Sequence, residues 1–157
     1  MRVYWRLDGL KMSQIQEMLD EARFLKNELG KTKKAIKLCN KILEMNNDNI
    51  DAMLIKAGGL KELGNVEEFI ALVQVILKRW PEHWEAYYLL SNFLFSMSED
   101  DKALQLMSHS LHLDENFNNV ISYAQMLYLT GDNAYSEYVD GAKKMDKKRA
   151  DNFMKNI

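Results

Sequence analysis

Gly64-Asn65-Val66-Glu67-Glu68-Phe69 decides the fold, because the chain turns and restarts in the same way 34 residues earlier and 34 residues later. Gly30 and Ser98 hold the place of Gly64, and Ala35 and Ala103 the place of Phe69. Leu43, Leu77 and Leu111 keep the same spacing farther on. A period of this length marks a stacked-helix array, in which each unit is a helix pair that cannot bury its apolar face alone. The repeating stretch runs from Met18 to Leu113.

Working outward, the apolar residues fall at helical spacing on both sides of each turn. Ser13 with Gln16 fits a capping box, as does Asn65 with Glu68, so a helix is expected from Ser13. It carries Ile15, Met18, Leu19, Ala22 and Leu25 and ends at Gly30. Residues 1–12, with Tyr4, Trp5 and Leu7 broken by Asp8-Gly9, are expected to form an arm or short helix over the first repeat, or a frayed terminus. A second helix from Thr32 to Met45 shows Ala35, Ile36, Cys39, Ile42 and Leu43 on one face. The next pair runs from Ile50 to Leu63 and on to Trp80-Pro81, and the third starts at Trp84.

A fourth, degenerate unit is expected from Asn118. In a strict 34-residue count Asp132 takes the turn position, with Gly131 just before it, and Gly141 falls where Cys39, Val73 and Met107 stood. The last helix is therefore expected to pack differently. Its Lys143, Lys144, Lys147, Lys148 and Arg149 suit a polar cap that stops the stack. The expected organisation is one domain over 1–157. It comprises an arm at 1–12, repeats at 16–49, 50–83 and 84–117, a degenerate repeat at 118–150 and a tail at 151–157.

The bulk composition narrows the function classes. A net charge of −2 opposes a general attraction to nucleic acid, which needs a basic face. No apolar run approaches the ~18 residues of a membrane span, and the N-terminus lacks the apolar core of a secretory signal. One cysteine, Cys39, rules out an internal disulfide framework. A cytoplasmic location is the simplest expectation.

These residues resemble the tetratricopeptide repeat, a 34-residue helix–turn–helix. Its turn Gly is Gly30 and Gly64, replaced by Ser98 and Asp132. Its second-helix Ala is Ala35 and Ala103, replaced by Phe69 and Glu137. Its closing Pro is Pro81. The early aromatic is Tyr87 alone, with Leu19, Met53 and Ile121 elsewhere. The small residue four further on is Ala57 and Ser91, with Arg23 and Gln125 departing from it. The resemblance covers about residues 16–150. It implies an all-α, right-handed superhelix of stacked repeats, about three to four with a C-terminal capping helix, whose first helices line a concave groove.

The groove positions that the resemblance implies are Glu17, Asp20, Glu21, Phe24 and Asn27 in the first unit, and Asp51, Leu54, Ile55, Gly58 and Lys61 in the second. The third unit supplies Glu85, Tyr88, Leu89, Asn92 and Phe95, and the fourth Asn119, Ser122, Tyr123, Met126 and Leu129. Carboxylates gather at the helix starts, where they also suit the helix dipole, and an apolar path lies deeper. A basic, amphipathic partner helix or peptide would fit, although some of these residues could instead pack between helices. Gly58-Gly59 leaves room for a partner or for a close helix contact, or is a tolerated kink. Repeats that clamp chaperone C-terminal tails need Lys, Asn and Arg where this chain has Asp20, Phe24, Ile55, Glu85 and Leu89. One unit on, it has Leu54, Gly58, Leu89, Asn119 and Tyr123. That ligand class is therefore not expected.

No phosphate-binding glycine loop is present; Gly30-Lys31-Thr32 lacks the preceding strand. His109 and His112, three apart, read as solvated rather than metal-binding. Cys39 reads as a small core hydrophobe. The sequence thus points to a non-enzymatic adaptor, assembly factor or dedicated chaperone that needs no cofactor or metal. A self-associating scaffold of end-to-end repeats and an RNA-binding protein using the basic C-terminal helix are the alternatives.

Overall fold

The computed structural model describes the backbone of residues 2–156 and the side chains of residues 8–156. Every regular element among them is helical: α1 (Arg2–Asn27), α2 (Thr32–Met45), α3 (Ile50–Glu62), α4 (Val66–Arg79), α5 (Trp84–Ser96), α6 (Asp100–Leu113), α7 (Phe117–Leu129) and α8 (Tyr135–Met154). Consecutive helices pair as hairpins: α1 with α2, α3 with α4, α5 with α6, and α7 with α8. The chain divides between Arg79 and Trp80 into two compact units. The first holds α1–α4 and the second α5–α8.

The starts of α2, α4 and α6 keep the 34-residue period, and the turns before them explain why. Gly30, Gly64 and Ser98 all adopt the left-handed conformation, with φ of 60°, 74° and 61°. After Gly64, the Asn65 N–H donates back to the Leu60 carbonyl at 2.9 Å; after Ser98, Glu99 donates to Leu94 at 3.0 Å. This wrap satisfies carbonyls that the helix end leaves open, and it favours glycine at the left-handed position. Ser98 is the one non-glycine with positive φ among the described residues. Ser98→Gly should therefore gain ~1 kcal/mol by removing a Cβ–carbonyl clash. A domain of this size should then melt about 2–4 °C higher. An unchanged or lower midpoint in a circular-dichroism melt would contradict this reading of the turn.

In the first unit the core joins Ile15, Leu19 and Ala22 of α1 to Cys39 and Ile42 of α2 and Ala52 of α3. Burial pushes the Cys39 thiol up to about 11, so it stays protonated at neutral pH and behaves as an apolar side chain. Gly59 lets α3 approach α2 closely: a Cβ there would lie 3.0 Å from Ile36 Cγ1 and 3.1 Å from Thr32 Cγ2. Glu62 pairs with Lys26 at 2.7 Å and accepts from Thr32 Oγ1 at 3.1 Å, tying together α1, α2 and α3.

The structure corrects the start of the chain. Helix α1 passes through Asp8-Gly9 and Ser13 without interruption, so Ser13 caps nothing and residues 2–12 are not a separate arm. One helical glycine costs about 1 kcal/mol, too little to end a long helix. The Gln16 amide donates instead to Asp20 at 3.0 Å, one turn on. The side chains of Tyr4, Trp5 and Leu7 lie outside the described residues.

The fourth repeat is out of register with a strict 34-residue count. The Asn116 side chain accepts from Asn119 N at 3.1 Å, as Asn49 accepts from Ala52 N at 2.8 Å. That cap fixes the start of α7 at Phe117, one residue early, and the left-handed turn residue is Gly131 (φ 81°) rather than Asp132. The longer turn that follows restores the chain and starts α8 at Tyr135, one residue late. Ala124, not Gln125, therefore takes the buried small position of Ala57 and Ser91. Leu127 is buried at 5% exposure, whereas Tyr128 is 41% exposed. Ala142, not Gly141, fills the place of Val73 and Met107.

Helix α8 also breaks at Asp146 (φ −154°, ψ 93°). Its carboxylate accepts from Arg149 N at 3.0 Å and so caps a final helical segment.

The first repeat shows a related offset. Lys31 N reaches the Leu25 carbonyl at 2.7 Å, one residue farther back than in the later turns. Ala22, fully buried, rather than Arg23, takes the small position.

Candidate functional site

Five of the residues expected to line a groove are buried, Ser122 at 9% exposure among them, and three of the five lie in the apolar core. Leu54 and Gly58 on α3 are buried, and Met126 on α7 packs with Ala103 and Met107 of α6. A fourth, Asn119, is fully buried and polar. Its amide donates to the Ser110 and Asp114 carbonyls at 3.1 and 2.7 Å, and its oxygen lies 3.1 Å from the Ser110 hydroxyl. These bonds lash the end of α6 to the start of α7. The early start of α7 turns Asn119 and Met126 inward.

On the first unit, Glu17, Asp20, Phe24 and Asp51 are exposed, while Ile55 is half-buried against the core. Phe24 is 54% exposed, an uncovered aromatic on the first helix. The carboxylates do not form a simple acidic rim. Arg23 bridges Asp20 at 3.3 Å and Asp51 at 2.8 Å, linking α1 to α3. Arg23 stands one place past the small position because of the offset in the first turn. Burial lowers the pKa of Lys61, and nearby Lys26 adds to the effect while Glu62 opposes it.

On the second unit, Glu85, Tyr88, Leu89, Asn92 and Phe95 of α5 are all half-buried. Tyr88 stacks edge-on against Trp84, with centroids 6.1 Å apart. The Asn92 amide donates to the Tyr88 carbonyl at 2.9 Å. The Ser122 hydroxyl of α7 lies 3.4 Å from the Tyr88 hydroxyl, so α5 and α7 present these positions side by side. Tyr123 packs edge-on against Tyr138 of α8 at 4.8 Å and, with Tyr88 and Phe95, flanks the Met107–Met126 core.

The unit is strongly acidic. Between Trp80 and Ala142 ten carboxylates face one cation, Lys102. Among the described residues no group of three or more His, Cys, Asp or Glu could hold a metal. His109 stacks on Tyr87 at 4.5 Å. Arg149 lies over the Phe117 ring at 4.1 Å and donates to Asn118 at 3.1 Å, whereas the four lysines of α8 are exposed and have no side-chain partner among the described residues.

Solved structures share this arrangement. TTC0263, a thermophilic TPR protein in Thermus thermophilus, matches with a TM-score of 0.74 at 16% identity, over 85% of this chain and 75% of that chain. The fold is the tetratricopeptide-repeat fold. MamA residues 41 to the end, from Desulfovibrio magneticus RS-1, matches this chain with a TM-score of 0.64 at 18% identity, over 85% and 76% of the two chains. An O-GlcNAc transferase mutant of Thermobaculum terrenum matches with a TM-score of 0.72 at 17% identity, over 85% of this chain but 26% of that one. At these identities the likeness is one of fold. No family model and no curated protein matches the sequence.

The turns at Gly30, Gly64 and Ser98 and the small residues Ala57 and Ser91 were readable in the sequence, but the bridging role of Arg23 and the Asn119 network were not. A signal for the second existed: Asn116, like Asn49, is an asparagine just before an apolar helical run, and aligning the two caps would have shifted the fourth repeat by one residue. No helix is long and apolar enough to cross a membrane among the described residues.

Proposed function

We propose that this chain is a non-enzymatic protein–protein interaction module whose second unit takes a basic, amphipathic helix or peptide of a partner across α5 and α7. The observation that carries this reading is the contact at 3.4 Å between the hydroxyls of half-buried Tyr88 and buried Ser122, which brings two first helices, α5 and α7, together beneath a strip of half-buried side chains of α5. Tyr88, Leu89, Asn92 and Phe95 supply apolar area with one amide, and burying a large apolar side chain contributes about 1.5–3 kcal/mol. The ten carboxylates between Trp80 and Ala142 supply the complement to a basic flank and steer its approach. Leu54, Gly58 and Met126 drop out of the binding set because they are buried. In the first unit Glu17, Asp20, Phe24, Asp51 and Ile55 remain as a separate face on which Arg23 offsets part of the negative charge. Tyr123 borders the second-unit strip from its α8 side.

The shifted register does not restore a chaperone-tail clamp. It replaces Asp20 and Phe24 with Leu19 and Arg23, and Asn119 and Tyr123 with Asn118 and Ser122. Neither set provides the paired lysine and arginine that hold a terminal carboxylate.

The test is capture of the same partner by matched variants. Asn92→Arg places a bulky cation in the strip and should weaken capture at least tenfold, a change of about 1.4 kcal/mol. Gln105→Arg, exposed on α6, adds the same charge elsewhere and should leave capture unchanged. Equal capture by the Asn92 variant, with the fold intact by circular dichroism, would exclude this strip.

A further inference from the structure

We propose that the chain associates with itself head to tail, the lysine face of α2 in one copy docking on the acidic start of α6 in the next. This contact stands independently of the groove reading. Helix α2 exposes Lys33, Lys34, Lys37 and Lys41, and Lys31 precedes it. None of the five makes an ion pair or side-chain hydrogen bond with another described residue. Lys33, Lys37 and Lys41 recur every four residues and form a stripe about 12 Å long. The one carboxylate on α2 is Glu44, in its last turn.

The placement works against the helix. Cations near a helix N-terminus face its positive dipole end. Helices α4 and α6 place Glu67 and Glu68, and Asp100 and Asp101, in that first turn, whereas α2 has no acidic residue there. A docked anionic surface would offset that repulsion, so α2 gains more from an acidic partner than an ordinary exposed helix does.

The acidic complement is on the same chain. Glu99, Asp100 and Asp101 are exposed at the start of α6. Lys102 engages Glu99 at 2.9 Å, and Asp100 and Asp101 have no side-chain partner among the described residues. The net charge of −2 is small, so copies are not held apart by overall repulsion. Two different faces meet in this contact, so it propagates into open chains unless the geometry closes a ring.

Light scattering at rising concentration, in about 20 mM and about 500 mM salt, tests this, because ions screen such pairs strongly across that range. The mean mass should climb above 18.4 kDa with concentration in low salt and return to it in high salt. Lys33→Glu with Lys37→Glu and Lys41→Glu should be monomeric in low salt, and so should Asp100→Lys with Asp101→Lys. An equimolar mixture of the two variants should associate again, since each then offers the other complementary faces. Circular dichroism verifies that both are folded. Four results would overturn the proposal: a wild type that stays monomeric in low salt, variants that still associate alone, a mixture that does not, or a monomeric wild type whose lysine face instead binds single-stranded RNA or phosphatidylserine vesicles.

Discussion

Phe69→Ala is expected to lower stability by about 3–5 kcal/mol, the cost of emptying a large core site that relaxes only in part. Phe69 is fully buried and heads the largest fully buried side chains. It occupies the place taken by Ala35 and Ala103 one repeat away on either side, both of them buried. In this repeat, therefore, α4 brings an aromatic ring where its counterparts bring a methyl group. The surrounding packing has grown around that ring, so alanine here leaves a cavity rather than recreating a neighbouring repeat. Each repeat depends on its neighbours to cover its apolar face. The loss should therefore appear as a shift of the whole transition rather than as local fraying. Urea denaturation should show a lower midpoint with little change in slope, and the thermal midpoint should fall by about 10 °C or more. Phe69→Leu should keep most of the stability. A loss below ~1.5 kcal/mol for alanine would mean that the site collapses as easily as an alanine repeat and that Phe69 does not anchor α4.

Much of the fold was legible because its determinants are local. The left-handed turns at Gly30, Gly64 and Ser98 follow from three positions in one period, and α2 begins and ends where its apolar spacing placed it, at Thr32 and Met45. What escaped the period was set by single residues. Asn116 caps α7 one residue early, and the longer turn after Gly131 delays α8. A fixed repeat length averages over such compensating steps, yet every side chain between them rotates by about 100° around its helix. Tyr128 thereby turns outward while Leu127 stays buried, and Asn119 turns from a groove position into a core one.

The candidate site was less legible than the fold, because groove positions are defined by that same rotation. The acidic character assigned to both halves belongs mainly to the second. In the first, Arg23, offset from the small-residue position it was assigned, reaches across to Asp51. Pairing across 28 residues of chain depends on how α1 meets α3, which no local pattern encodes.

Asn119→Leu tests the rotated register directly. If Asn119 faced a groove, an apolar side chain of similar size would leave stability almost unchanged and would affect only partner capture. In the structure Asn119 is fully buried, donates two bonds to carbonyls at the end of α6, and shares the single Ser110 hydroxyl proton with the Trp84 carbonyl. Each such bond contributes about 0.5–1.5 kcal/mol net. The carbonyls left behind are not orphaned: Ser110 O still accepts from Asp114 N at 3.0 Å, and Asp114 O from Asn116 N at 2.9 Å. The Ser110 hydroxyl keeps the Trp84 carbonyl at 2.8 Å. The expected loss is therefore about 2–3 kcal/mol, below that of Phe69→Ala but far above a surface substitution. Ser110→Ala should cost less, about 1 kcal/mol, because it removes one hydroxyl. Combined with Asn119→Leu, it should fall short of the sum of the two losses, since both variants break the same bond. Strict additivity in urea titrations would separate Asn119 from Ser110, and a neutral Asn119→Leu would return the fourth repeat to the strict 34-residue register.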